Sequence, residues 1–414
     1  MNTITLDATK VSKRSITYHY NINGEWARFF TARRKYTITY DQNVANVPLS
    51  ICNIHFVANI LPLAWLCNAT IKVHELDLEF TQSVPEIKKG YMDMYPKTVF
   101  SGNLAVENSI NNTYTSTNQV AAFFSGGLDA MSTVASHYDE HPLLINIQGS
   151  DINLCYKKII TTVKKYLTSM AGDLGLPITF ISSEFRKVIN EKRATKYIKP
   201  LLHDNYWHAM QHGIAIISHA APIAYIKKLK TIYIASSFSK RNHAPCASDP
   251  TIDNHVKLSN TNIIHDGYEY DRIDKSRVIA EFIKKYNKKI KLRVCLDDYR
   301  VENCQHCEKC YRTIFDFAAN GCNPELVGFN LSDRDYKDAK KTIQNRVFIQ
   351  YPILWQDIQK AFQEHPDLKR NTRYAWMYDY DFDKVNQYKK KYFYKIGYAA
   401  RKRFRKALRL ITQR

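Results

Sequence analysis

Between residue 119 and about residue 325 the chain alternates short apolar runs with segments of helical periodicity, and nothing else in it limits the fold as tightly. "AAFF" leads to a helix after Asp129, "PLLINIQ" to a long helix through "YKKIITTVKKYLTSMAGDLG", and "PITFIS" to a polar loop. A helix around "NYWHAMQHGIAIISHAAPIA" then precedes the strand "TIYIAS". Parallel strands need a crossover to bring the chain back, usually a helix. Repeated βα units therefore predict an α/β domain, a parallel sheet with helices on both faces.

The flanking regions read differently. Residues 1–118 are rich in Tyr, Thr, Ile and Val with period-2 stretches such as "RSITYHYNI" and "KYTITY", which predicts an N-terminal α+β or mostly β domain. The polar stretch "ENSINNTYTSTNQ", residues 107–119, reads as a linker. Residues 326–414 read as helical and end in a basic segment. With 414 residues the chain has room for two or three cores. The apolar run from Asn53 is interrupted by Asn59, Pro62 and Asn68, so a buried core segment is expected there rather than a membrane span. "MNTITLDATKVSKRS" has no apolar signal region, so a cytoplasmic protein is expected, with its nine cysteines serving as ligands, thiols or core residues.

The sharpest local feature is "VAAFFSGGLDA", an apolar strand, a glycine turn and a helix start. In a parallel sheet, ligands bind beyond the carboxyl ends of the strands. Gly126 and Gly127 allow a tight turn and close approach of backbone to a ligand. Amides there and at the new helix N-terminus face an anion, Ser125 adds a hydroxyl, and Asp129 suits Mg2+ bridging phosphates. Neither a Walker A loop nor a three-glycine dinucleotide fingerprint is present.

"FFSGGLDA" after an apolar strand resembles the pyrophosphatase-loop (PP-loop) ATP enzymes, whose motif is SGGxDS. The resemblance implies a PP-loop/HUP-like fold, ATP bound in the turn, adenylation of a substrate oxygen and release of pyrophosphate. It implies that Ser125, Gly126, Gly127 and Asp129 contact the pyrophosphate and its Mg2+. Ala130 departs from the motif, which has serine there; one neutral hydrogen bond is worth about 0.5–1.5 kcal/mol. "HDGYEYDRIDKSRVIAEF" resembles the superfamily segment in which a lysine opens a helix facing the phosphates, which makes Lys275 the candidate cation and Arg272 the second.

Cys295, Cys304, Cys307 and Cys310 follow the spacing C-x8-C-x2-C-x2-C within sixteen residues. Four thiolates at that density suit tetrahedral Zn2+, with an iron–sulfur cluster as the alternative. A similar knot follows the PP-loop core of the queuosine-pathway nitrile synthases. That resemblance covers residues 119–325. The larger pattern is similar to large members of the superfamily, some associated with bacterial surface-polysaccharide genes.

Further candidates surround these motifs. Ser236, Ser237 and Ser239, followed by Lys240 and Arg241, lie past another strand end and suit a nucleotide or acidic substrate; a polar surface loop is the alternative. His203, Asp204, His208 and His212 are clustered, and His208 and His212 fall on one helical face at i, i+4, which suits substrate contact, core packing or a metal. Cys246 beside His243 is a candidate sulfur-transfer nucleophile. Cys155 and Cys322 carry less, and Cys52 and Cys67 read as core.

The net charge is +21, and residues 388–414 contain eleven Lys/Arg and no acid. Phe393, Ile396, Ala400, Phe404, Ala407, Leu408 and Ile411 recur among them at helical spacing. A basic amphipathic helix of this kind suits an anionic membrane surface, nucleic acid or docking onto the protein itself, and a site at the inner face of the membrane would follow from the first.

The expected activity is ATP-dependent adenylation of a carboxylate or carbonyl oxygen in a small-molecule or saccharide substrate, followed by attack of a nitrogen nucleophile. Met1-Asn2 supplies no N-terminal cysteine for glutamine hydrolysis, so nitrogen would come from free ammonia, a separate ammonia donor or a substrate amine. Sulfur transfer to RNA and a non-catalytic nucleotide-binding module remain alternatives.

Overall fold

The computed structural model describes residues 1–297, 299–345 and 352–382, and the chain divides into two compact units. The first comprises Met1–Phe124, His137–Leu154 and Leu176–Tyr268; the second comprises Ser125–Ser136, Cys155–Gly175 and the chain from Glu269 onward.

Along the chain, β1 (Thr3–Val11), β2 (Ser15–Asn23) and β3 (Lys35–Tyr40) precede α1 (Leu49–Leu66), β4 (Thr70–Asp77), α2 (Leu78–Met94) and β5 (Asn103–Ile110). Next come β6 (Val120–Phe123), α3 (Leu128–Ser136), β7 (Leu143–Gln148), α4 (Lys157–Leu174), β8 (Ile178–Ser183) and α5 (Glu191–Leu202). Then follow α6 (His212–Ser218), α7 (Ala221–Lys227), β9 (Thr231–Ala235), α8 (Pro250–Asp253), β10 (Lys257–Leu258) and β11 (Thr261–Asp266). The described chain finishes with α9 (Arg272–Tyr286), α10 (Glu308–Ala319), α11 (Asp333–Asn345) and α12 (Pro352–Gln363).

Among the described residues, all eleven strands lie in the first unit and form one sheet, in the order β10-β11-β9-β6-β7-β8-β3-β2-β1-β4-β5. Six of the ten pairings are parallel, so the unit is α/β with a mostly parallel sheet. The sheet does not stop at residue 118. β3 pairs antiparallel with β8, placing Ile38 opposite Ser183 and Tyr40 opposite Ile181, and Asp41 accepts from Phe180 N at 2.9 Å. The N-terminal strands thus continue the parallel sheet and share its core. Their period-2 pattern is real: Ile16, Tyr18, Tyr20 and Ile22 of β2 all point inward.

The stretch 107–119, expected as a linker, completes β5 and is then tied down. Asn112 Nδ2 donates to Asp77 Oδ1 at 2.9 Å, and the Tyr114 hydroxyl donates to Ala224 O at 3.2 Å. Asp77 also starts α2 by accepting from Phe80 N at 3.0 Å. α1 begins at Leu49, ahead of the apolar run from Asn53, and is the buried core segment expected there. Its length and composition would allow a bilayer span, but 89% of it is buried inside the protein. It packs on β4, β1 and β5, and α6 and α7 pack on it. Its polar residues are bonded internally: Asn53 donates to Glu75 O at 2.9 Å, and Asn59 accepts from Gln211 Nε2 at 2.6 Å.

The described part of the second unit is helical. α9 packs against α3, α10 and α12. Trp355 and Phe315 are fully buried, each contributing about 1.5–3 kcal/mol by leaving water. α9 begins with a reciprocal capping box between Asp271 and Asp274, which sets where its first charged residues sit.

Candidate functional site

The glycine turn opens α3 in the second unit. Gly126 has φ +76°, so the backbone favours glycine there, and a Cβ would in addition lie 2.8 Å from the end of the Leu167 side chain. Its carbonyl accepts from Arg293 N at 2.8 Å, which ties the turn to the segment entering the cysteine cluster. Ser125 is exposed, and its Oγ accepts from Gly127 N at 3.4 Å. The first-turn amides of α3 have no partners within the helix, and with its dipole they favour an anion there. Ala130, Ser132 and Thr133 are all buried.

α9 brings two cations into this unit's charged cluster. Lys275 is buried and its Nζ lies 3.4 Å from Asp129 Oδ1; the two side chains are 4% and 33% exposed. Arg272 Nη2 donates to Thr313 Oγ1 at 2.9 Å, and its Nε is 3.3 Å from Asp316 Oδ2. From α10, Arg312 pairs with Glu308 at 3.3 Å, and Trp355 Nε1 donates to the same carboxylate at 3.1 Å. Burial alone would raise the Asp129 carboxyl, but Lys275, then Arg272 and Lys309, outweigh it and hold the group below the usual range. Asp316 goes the other way: burial pushes it up to about 6 against the pull of Arg272 and Arg312.

Arg312 Nε is buried without a hydrogen-bond partner, and Arg272 Nε has only its ion-pair contact with Asp316. Four cations, Arg272, Lys275, Lys309 and Arg312, thus share three carboxylates, Asp129, Glu308 and Asp316. That balance, next to the amides of a helix N-terminus, suits a multiply charged anion.

The four cysteines of the C-x8-C-x2-C-x2-C pattern come together, with their Sγ atoms all within 4.8 Å of one another. Cys304 and Cys310 Sγ are 3.9 Å apart, close to the roughly 3.8 Å edge of a tetrahedron with metal–sulfur bonds of about 2.3 Å. The donor set fits a metal ion. Cys307 caps α10 and Cys310 sits in its first turn. Asn303 braces the loop, accepting from Val294 N at 2.9 Å and donating to Leu292 O at 2.7 Å.

Other candidates are placed elsewhere. Ser236 and Ser237 belong to the first unit, just past β9. Ser237 is exposed, while Ser236 is buried and donates to Phe238 O at 2.5 Å. His208 and His212 do not keep the i, i+4 relation of an α-helix, because a π-helical turn spans Trp207–Gln211 and widens the spacing. His208 Nδ1 is bonded to Asp204, while the His212 ring sits edge-on to Trp207 at 5.0 Å. Among the described residues only the four cysteines form a group of three or more metal-capable side chains.

Cys246 is buried, not presented in a polar loop, and burial pushes its thiol up to about 12. His243 engages Asp249 at 2.8 Å. A thiol so protonated is a weak nucleophile at neutral pH, so the geometry gives sulfur transfer no support. The basic segment 388–414 lies outside the described residues.

Sequence reasoning missed Lys309, Arg312, Thr313 and Asp316. A signal was there: Glu308, Arg312 and Asp316 recur every four residues in a stretch that starts inside the cysteine motif. Comparison with protein-family models, with curated proteins and with solved structures finds no match for this chain.

Proposed function

We propose that the second unit binds ATP at the glycine turn and adenylates an oxygen of a small-molecule or saccharide substrate. The observation that carries this reading is Lys275, buried 3.4 Å from Asp129 at the start of the turn's helix, with Arg272 one helical turn before it. Backbone amides of residues 126–129 receive the phosphates, and Arg272 and Lys275 offset charge as it builds up on the leaving pyrophosphate. Asp129 would hold Mg2+, which supplies charge neutralisation between phosphates.

In the reaction the substrate oxygen attacks the α-phosphorus, the α–β bridging P–O bond breaks, and pyrophosphate leaves with that electron pair. A nitrogen nucleophile then attacks the activated carbon and AMP departs. The protein's part is to position the groups and stabilise charge. Cys295, Cys304, Cys307 and Cys310 hold Zn2+ in a closed structural site.

The test is thermal unfolding with Mg2+ and α,β-methylene ATP, alongside an assay for released pyrophosphate. Ligand at about a hundredfold over its Kd adds roughly 2.7 kcal/mol. Wild type should shift and Asp129→Asn should not; the double variant Asp129→Asn/Lys275→Met guards against a folding defect. No shift in wild type sinks nucleotide binding. A shift with no pyrophosphate release across carboxylate substrates favours a nucleotide-sensing module.

A further inference from the structure

We infer that the outer face of α5, in the first unit, is a docking surface for an anionic lipid membrane. α5 buries Ala194, Ile198 and Leu202 against the protein and turns its other side to solvent. That side presents Lys192, Arg193, Lys196 and Lys199, all exposed. Among the described residues, no ion pair engages Lys192, Lys196 or Lys199. The only acid of the helix, Glu191, is taken by Arg186.

Apolar groups border this positive field on one side. Tyr197 and Leu201, one turn apart, are 37% and 51% exposed. Tyr197 is supported rather than loose: its ring lies 4.9 Å from that of Phe29 at a tilt of 45°, and the Arg28 guanidinium sits 4.9 Å over the same Phe29 ring. Arg193 Nη1 donates to Arg28 O at 3.1 Å, which joins Arg28 to the same patch. The patch therefore combines an aromatic with a polar tip, a protruding aliphatic and a neighbouring set of cations.

A phosphodiester surface attracts the cations but has no use for an aliphatic such as Leu201, which gains only where hydrocarbon is available. Tyrosine at headgroup depth, leucine below it and lysines reaching back to the phosphates are the arrangement of an interfacial helix. A membrane carrying acidic lipids fits both halves of the patch. Nucleic acid fits one.

The experiment is flotation of the full chain with phosphatidylcholine vesicles, with and without phosphatidylserine. Each cation near an acidic surface is worth about fivefold in binding. Wild type should float only with phosphatidylserine, and less so as salt rises. Lys196→Glu/Lys199→Glu should bind at least about thirtyfold more weakly, and Leu201→Ser roughly tenfold more weakly; thermal unfolding should show both variants folded. Wild-type binding by both variants overturns the inference, since another segment is then holding the vesicle. So does equal binding to neutral vesicles. If a single-stranded oligonucleotide binds with the same lysine dependence and vesicles do not, the face reads nucleic acid and the membrane inference fails.

Discussion

Thr313 Oγ1 accepts a hydrogen bond from Arg272 Nη2 at 2.9 Å, joining the helix that carries Cys310 and is capped by Cys307 to the helix that carries Lys275. Asn320, at the end of α10, extends the join by donating to Ser276 Oγ at 2.8 Å. On the other side, Gly126 O is held by Arg293 N, two residues before Cys295. The metal-capable cluster thus anchors both sides of the charged site. Four-thiolate sites of this kind contribute about 10–16 kcal/mol of apparent folding free energy. Chelating the metal should raise hydrogen exchange at residues 126–131 and 272–277 together with that of the cluster. Thr313→Val should keep its metal, lose about 1 kcal/mol of stability and raise exchange in α9 alone. Unchanged exchange in α9 after stripping would show that the two are independent.

Lys275 and Asp129 should respond unequally to mutation. Asp129 is a third exposed and can be hydrated when its partner goes; Lys275, 4% exposed, cannot. Asp129→Asn takes one countercharge from a buried ammonium that has a further partner and should cost about 2 kcal/mol. Lys275→Met keeps the aliphatic stem and should cost about 1 kcal/mol. The double variant should be more stable than Asp129→Asn alone, giving a favourable coupling in a double-mutant cycle by urea unfolding. Additive losses would mean the pair is not an interacting unit.

His137 couples the first unit's stability to pH. Its Nε2 meets Asp266 at 2.9 Å, its Nδ1 meets Glu140 at 2.6 Å, and its ring stacks on Tyr233 at 3.7 Å. Burial alone would lower the imidazole's pKa, but its hydrogen bonds to the Asp266 and Glu140 carboxylates outweigh it and raise the group above its ordinary 6.5. A raised folded pKa means the stabilisation is complete below pH 6.5 and is lost as pH rises through the folded value. Denaturant midpoints taken upward from pH 6 should fall more steeply for wild type than for His137→Gln. Parallel curves would remove His137 from the account.

Cysteine reactivity should separate by burial. Cys155 is exposed, whereas Cys246 is 2% exposed with its thiol pushed up to about 12. Iodoacetamide at neutral pH should label Cys155 in the native protein and Cys246 only after unfolding, as peptide mass mapping will show. Fast native labelling of Cys246 would reopen a sulfur-transfer role.

Several features were legible without coordinates because their causes are local. Period-2 patterning in "RSITYHYNI" marks a half-buried strand wherever the strand ends up. Gly126 needs a positive φ that the adjacent strand and helix impose on the spot. The spacing of Cys295, Cys304, Cys307 and Cys310 closes a tetrahedral donor set within sixteen residues, so its metal-capable character needs little from the rest of the chain.

Other features depend on which distant segments meet, and no local pattern carries that. Strand periodicity says which face is buried but not which strand lies alongside, so β3 reads as part of a separate domain until its pairing with β8 is seen. The i, i+4 rule for His208 and His212 assumes 3.6 residues per turn, and the π-helical turn removes the assumption. Cys246 reads as a loop thiol because its neighbours in sequence are polar, while its neighbours in space bury it.

By itself, the sequence determined the α/β alternation, the glycine turn and the four-cysteine set, all fixed by hydrogen bonds, backbone limits or ligand spacing over a few residues. Only the tertiary structure decided that one sheet runs through eleven strands, and that Lys275 settles against an Asp129 146 residues away with Arg312 and Asp316 in the same cluster. The physical reason is that burial and charge compensation are properties of what surrounds a side chain in space, and that set is chosen only when the chain has packed.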